Sequence, residues 1–311
     1  MGGELRMGRT EWLLLFLLAV IWGSSFLFYK ILVADMSPTM VAFGRIVLAA
    51  IALNLALRAR GERIAPTRRE AVLYAVCGIL NSAVPFSLLA YGEIRLSAGL
   101  ASILNATTPI FGILVAHVLT DNERLTGPRA AGVLLGFAGV AVLVAPGLFH
   151  SGVHSSLGWL LAEGACLGAS ICYAFGGVFS RRLAGHSALR IATGQFTASA
   201  IAMIPFVFIF DHPWTMKMPG AEEVFSMAAI GLVCTAFAYV IFFRIIRVGG
   251  ATNAFLVTLL VPVSAMILGA VVLGEGVSPT AFAGMALIGL GLIAIDGRVF
   301  RRIRELVPVK P

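Results

Sequence analysis

Apolar residues gather into long runs along the chain, separated by short polar interruptions that carry most of the arginines. The hydrocarbon core of a bilayer takes about 20 apolar residues per helix. Runs of that length fall at 12–33, 38–57, 70–91, 97–119 and 128–146, and after a polar gap at 156–180, 188–210, 222–245, 250–273 and 279–296. They are continuous rather than alternating with period two, which excludes a closed outer-membrane barrel. The pattern predicts an all-α polytopic membrane protein of ten transmembrane helices, with connections too short to hold a soluble domain. The first run is longer than the apolar region of a signal peptide and no small-residue cleavage site follows it, so it is expected to stay attached as a span.

Composition agrees with this pattern. Of 311 residues, 59% are apolar and 12% are Asp, Glu, Lys or Arg, against about 45–50% and about 25% in soluble domains. A net charge of +8 would suit nucleic acid. The basic residues, however, sit between apolar runs, and no basic patch is interleaved with stacking aromatics, so no nucleic-acid partner is expected. Their placement sets topology instead. With the N-terminus inside, the cytoplasmic segments hold 19 of the 23 lysines and arginines, leaving Lys30, Arg45, Arg95 and Lys217. Missing one span would move every later loop across the membrane and erase that bias, so both termini are expected in the cytoplasm. The cysteines Cys77, Cys166, Cys172 and Cys234 lie inside apolar runs without paired spacing and read as small apolar fillers.

The chain also repeats itself. Arg95, Glu123, Gly132 and Gly139 recur as Arg247, Glu275, Gly284 and Gly291 at a shift of 152, and Pro109 recurs as Pro262 at a shift of 153. A shift of 150 sets Arg45 opposite Gln195. Residues 1–148 then form a first five-helix repeat, and residues 149–311 a second one with a basic cytoplasmic tail. Five is an odd number, so the second repeat enters from the opposite side and the two are inverted (5+5) about an axis in the membrane plane. Many secondary transporters alternate access around a midplane site through this arrangement. The plainer alternative is a duplication that only builds a stable scaffold.

Trp22-Gly23-Ser24-Ser25-Phe26 in the first span, Ser37-Pro38 before the second, Phe43-Gly44-Arg45-Ile46 within it, and Pro109 and Pro262 in the fourth and ninth carry a resemblance. Together they resemble the EamA-type branch of the drug/metabolite transporter superfamily, over nearly the whole chain. Within it the chain looks most like YddG-type bacterial amino-acid exporters, although its second half carries Tyr173-Ala174 where that pattern begins with Trp. The resemblance implies spans 1–4 and 6–9 around a central cavity, with spans 5 and 10 packed peripherally.

Ionisable groups in hydrocarbon are costly and are functional candidates by default. Arg45 lies seven residues in from Pro38 and Glu163 seven in from Ser156, which puts both roughly 10 Å below the outer surface at about 1.5 Å per residue. An Arg45–Glu163 pair is open to them if spans 2 and 6 face each other. Arg45 suits capture of a substrate carboxylate, and equally suits packing its stem in protein while tying down carbonyls. Glu163 can serve as a proton carrier, although facilitated diffusion needs none. Lys30 is expected to snorkel, and Glu123 and Glu275 to cap helices. Near the midplane fall Trp22, Ser24, Asn81, Asn105, Thr107, Thr108, Ser170 and Tyr173, with Gln195, Thr197 and Tyr239 close by. Several polar groups at one depth in both halves suggest a lined cavity, whereas each alone suits interhelical bonding. Pro85 and Pro109 stand four residues after Asn81 and Asn105; with Pro262 they mark bends suited to gating.

Gly132-xxx-Gly136 and Gly164-xxx-Gly168 are read as close helix contacts within the chain, so a monomer is expected. His150 and His154 have metal-like spacing but sit in a Gly/Ser loop without supporting ligands, so no metal is expected. No clustered acids, His-Glu-x-x-His pair or phosphate loop ending in Gly-Lys-Ser/Thr is present, so neither an enzyme, nor ATP, nor any cofactor is expected. A channel would want a polar ring around a continuous pore. The sequence thus points to a secondary transporter of the inner membrane exporting small molecules. The resemblance makes these amino acids, aromatic and apolar ones included. Nucleotide-like or cationic compounds are the alternative, and a cation site would need Glu163.

Overall fold

The computed structural model describes residues 8–119, 127–149, 157–183, 185–249 and 257–296. Among them every regular element is helical. Seven helices are long and apolar enough to cross a membrane: α1 (Arg9–Leu32), α2 (Pro38–Ala59), α3 (Arg68–Glu93), α4 (Ala98–Leu119), α6 (Leu157–Leu183), α7 (Ala188–Asp211) and α8 (Ala221–Ile245). Three further apolar helices are α5 (Gly127–Phe149), α9 (Val257–Leu273) and α10 (Pro279–Asp296). Their outer faces are as apolar as their cores, with Leu13, Leu134 and Val271 at least 70% exposed. Helices apolar all round belong in lipid. The chain is a multi-pass membrane protein.

Serine and threonine start the helices. Ser37 Oγ accepts from Met40 N at 3.1 Å, with Pro38 pre-setting the first turn of α2. Ser97 and Ser187 do the same for α4 and α7, and Thr67 with Glu70 forms a reciprocal capping box on α3. Each cap satisfies backbone donors that the helix itself leaves open.

The main packing comes in matched sets. α1 lies on α9 as α6 lies on α4; α1 meets α8 as α6 meets α3; α2 meets α8 as α7 meets α3. α2 and α7 pack on each other, and so do α5 and α10. The last pair shows the symmetry operator. A methyl on Gly139 would stand 2.8 Å from the Gly284 carbonyl oxygen, and one on Gly291 would stand 2.6 Å from the Gly132 carbonyl oxygen. Gly132 and Gly284 are repeat mates, as are Gly139 and Gly291, so the repeat exchanges one contact for the other. Such self-complementary exchange is the mark of a two-fold axis. Residue numbers rise along α5 as they fall along α10, so the mates run antiparallel.

Small residues allow this approach in lipid, where packing rather than water expulsion holds helices together. Gly132 and Gly136 are used within the chain in this way. The other expected small-residue contact is absent at its first position: a methyl on Gly164 would meet nothing within 4 Å. Glu123, Arg124 and the His150/His154 pair lie outside the described residues.

Candidate substrate site

α2 and α7 cross at the centre and each presents a polar side chain to the core. On α2 this is Arg45, 5% exposed. Its Nε donates to Thr235 Oγ1 of α8 at 2.7 Å and its Nη1 to the Tyr29 hydroxyl of α1 at 2.8 Å. The guanidinium lies 3.9 Å from the centre of the Phe86 ring and 5.2 Å from that of Tyr29. Its Nη2 has no hydrogen-bond partner among the described residues. Of the two expected readings of Arg45, the packing one needs revision. Its stem is packed in protein, but hydroxyls and rings rather than backbone carbonyls hold it.

Nor does Arg45 pair with Glu163. α2 packs mainly on α7, α8 and α3, so equal depth did not make spans 2 and 6 face each other. Glu163 instead accepts from Trp159 Nε1 at 3.2 Å, one turn earlier on its own helix.

At the mate position on α7, Gln195 Oε1 lies 3.5 Å from Asn81 Nδ2, and Asn81 also donates to Ser180 Oγ at 3.1 Å. Asn81 sits in a π-helical turn of α3 (Ile79–Ala83), and Thr235 sits in another in α8 (Ala229–Phe237). Each such turn widens the helix by one residue and re-aims the side chains it carries. Pro85 follows the first, as its loss of a backbone donor requires the local pattern to change.

An aromatic wall joins the two polar groups. Trp22 meets Phe242 at 5.2 Å and Tyr239 at 6.4 Å between ring centres, Tyr239 meets Phe196 at 5.3 Å, and Phe196 meets Phe86 at 6.3 Å. Tyr173 is within electrostatic reach of Arg45, Tyr29 and Tyr239. Ser24 donates to the Ile21 carbonyl and touches Cys234 Sγ at 3.4 Å. Trp22, Tyr173 and Tyr239 are half-buried. Of the expected set, Trp22, Ser24, Arg45, Asn81, Tyr173, Gln195 and Tyr239 thus gather in one core region.

Asn105 and Thr108 do other work. α4 breaks between Asn105 and Thr108, where Pro109 cannot donate to the Asn105 carbonyl. That carbonyl accepts instead from Thr108 Oγ1 at 2.7 Å and Ser170 Oγ at 3.2 Å. Hydroxyls from its own helix and from α6 mend the break, as membrane helices require. Near Pro262, Ser264 of α9 donates to the Ala19 carbonyl of α1 at 2.7 Å.

At the other end of the core the structure places three charged groups, of which the sequence had not singled out Glu93. Lys30 Nζ donates to the Glu93 and Leu96 carbonyls, each at 2.8 Å, tying α1 to the turn between α3 and α4. Glu93 is 0% exposed and neither of its carboxylate oxygens has a hydrogen-bond partner. It lies two residues past the apolar run at 70–91, outside the expected span. Glu275 does cap a helix, but not its own. Gly274, at φ +66°, turns the chain after α9 so that Glu275 accepts from Ala98 N, in the first turn of α4, at 3.0 and 3.1 Å. Among the described residues no group of three His, Cys, Asp or Glu side chains is placed to hold a metal.

The described helices form a membrane bundle with a charged and aromatic core. Comparison with known proteins is specific. The model of the EamA-like transporter family matches residues 10–145 and again 160–295, and the chain belongs to that family. A probable terminal-alkyne amino-acid exporter of Streptantibioticus cattleyicolor is 28% identical over 302 residues, covering 97% of this chain and 98% of the relative. A probable amino-acid metabolite efflux pump of Escherichia coli is 28% identical over 306 residues, covering 92% and 94%. One solved crystal structure, 19% identical, superposes with a TM-score of 0.67 over 96% of this chain and 99% of that one, which indicates the same fold.

Proposed function

We propose that the protein exports amino acids, aromatic and apolar ones included, from the cytoplasm across the inner membrane by alternating access. In this reading ten helices span the bilayer as two inverted repeats, 1–148 and 149–311, with both termini cytoplasmic and one chain as the working unit. The observation that carries it is Arg45: a buried guanidinium fixed by two hydroxyls, with no partner for Nη2 among the described residues, against an aromatic wall. A fixed cation with a spare donor suits a carboxylate, and rings suit an apolar side chain. The two relatives, a probable terminal-alkyne amino-acid exporter and a probable amino-acid metabolite efflux pump, point the same way.

Inverted halves give two nearly equivalent conformations, one open to each side, that a ligand at the centre can share. The break before Pro109 in α4, Pro262 within the continuous α9 and the π-helical turns in α3 and α8 are where the helices bend between them. Trp22, Ser24, Tyr173, Gln195 and Tyr239 line the site, Asn81 holds Gln195, and Asn105 and Thr108 brace the bend at Pro109.

Liposomes holding purified protein and preloaded with the twenty amino acids and several cationic drugs test this, with efflux followed by mass spectrometry with and without a pH gradient. Saturable, selective loss of amino acids is expected. Loss of cationic drugs alone would favour the alternative substrate class, and loss of nothing would end the amino-acid assignment. Dependence on the gradient would bring Glu163 and Glu93 forward as proton carriers.

A further inference from the structure

Apart from the Arg45 region, a cavity of about 320 Å³ opens between the starts of α4 and α6, the end of α5, and the turn from α9 into α10. Glu163, Glu275, Trp159, Ser97, Leu100 and Met266 are among its lining. With the N-terminus in the cytoplasm, all of these segments lie at the outer face.

The two carboxylates are unequal. Glu275 is half-buried, folded over Gly269, and its charge is met by a backbone donor at the positive end of α4. Glu163 is 2% exposed; Trp159 Nε1 serves its Oε1, while its Oε2 is buried without a partner. A carboxylate oxygen withdrawn from water and left unpaired costs free energy that a cation in the cavity would recover. Neither neighbouring cation is a hydrogen-bond partner of Glu163 Oε2. Lys30 is held by the Glu93 and Leu96 carbonyls, and Arg95 rests its guanidinium against Gly158 in the first turn of α6.

The occupant's chemistry follows from the walls. Two carboxylates without a third His, Cys, Asp or Glu among the described residues make a poor metal cage. An indole face and the side chains of Leu100 and Met266 suit an alkyl or aryl body carrying an ammonium, because the ring adds cation–π attraction to the carboxylate's charge. We propose that this outer cavity is a binding site for small organic ammonium ions, separate from the Arg45 region and anchored by Glu163. It goes beyond the export reading and does not depend on it, because it is tested by binding alone.

The test uses the full chain in nanodiscs of zwitterionic lipid and tritiated butylammonium as the probe, read by scintillation proximity. Saturable binding is expected, displaced by unlabelled butylammonium and not by butanol, its uncharged counterpart. Glu163→Gln should weaken it at least tenfold. Trp159→Phe, which keeps the carboxylate but removes the indole and its hydrogen bond, should weaken it several-fold. Absence of saturable binding between pH 6 and 9, displacement by butanol as readily as by butylammonium, or full binding by a folded Glu163→Gln protein would each overturn the proposal. The competitor comparison is made on the unaltered chain, so it decides the matter even if a variant fails to fold.

Discussion

Arg45 and Gln195 hold equivalent places in the two halves, and the groups around them are equivalent too. Arg45 reaches Tyr29 on α1 and Thr235 on α8; Gln195 is reached by Asn81 on α3, which also reaches Ser180 on α6. Tyr29 and Ser180 stand 151 residues apart, and Asn81 and Thr235 stand 154 apart. Both arrangements use a π-helical turn to bring the partner in. The scaffold has thus been kept while its chemistry has diverged: one cluster holds a permanent charge and the other only neutral dipoles. Inverted halves with identical cores would offer a ligand the same site from either side. Here a carboxylate would meet its cation on α2, seven residues in from Pro38, while the mate cluster on α7 offers an amide.

Removing the charge should erase this asymmetry with the greatest effect. Arg45→Met should cut saturable amino-acid efflux from proteoliposomes about 100-fold or more, since each charge-assisted bond lost is worth roughly 1.5–3 kcal/mol and about 1.36 kcal/mol is a decade. An unchanged rate would show that the cluster is structural. The symmetry of the scaffold is probed next. Gly139→Ala and Gly291→Ala place methyls against mated backbone, 2.8 Å from Gly284 O and 2.6 Å from Gly132 O. Each should destabilise by about 1–3 kcal/mol, as overpacking does, and by nearly equal amounts in thermal unfolding. A large cost at one site and none at the other would refute the two-fold.

Smaller effects separate the clusters. Thr235→Val removes one support from Arg45 and should slow efflux about three- to tenfold, roughly the value of one hydrogen bond, whereas Thr235→Ser should come close to the parent rate. Gln195→Leu gives up the long 3.5 Å contact with Asn81. It should cost about 0.6–1.7 kcal/mol at most, the range for hydrogen bonds between membrane helices, and should change transport less than Thr235→Val does.

Much of the architecture was legible because lipid imposes simple rules. Apolar runs located the helices, and the glycines at a constant shift turned out to be the contacts that α5 and α10 exchange. Arg45 stood out because a charge in hydrocarbon is conspicuous. Its neighbours did not: Tyr29 and Phe86 look like any core aromatic, and Thr235 is aimed by a π-helical turn that leaves no mark in apolar periodicity. Depth along a helix was legible, but facing was not, which is why Arg45 and Glu163 share a level without sharing a contact. Glu93 and Lys30 were obscured for another reason. Both lie near a helix end, where a charge is ordinary, and only the packing of α1 against the turn between α3 and α4 buries the one and binds the other to carbonyls.

Whether Arg45 recognises a carboxylate is settled by comparing saturable efflux of phenylalanine with that of phenylalaninamide, which keeps the ammonium and ring but lacks the carboxylate. Liposomes carrying the parent protein or Arg45→Met would be used. Carboxylate recognition at Arg45 requires a strong preference for phenylalanine in the parent and loss of that preference in Arg45→Met. Equal transport of both compounds by the parent, or a preference that survives in Arg45→Met, would show that the guanidinium does not read the carboxylate.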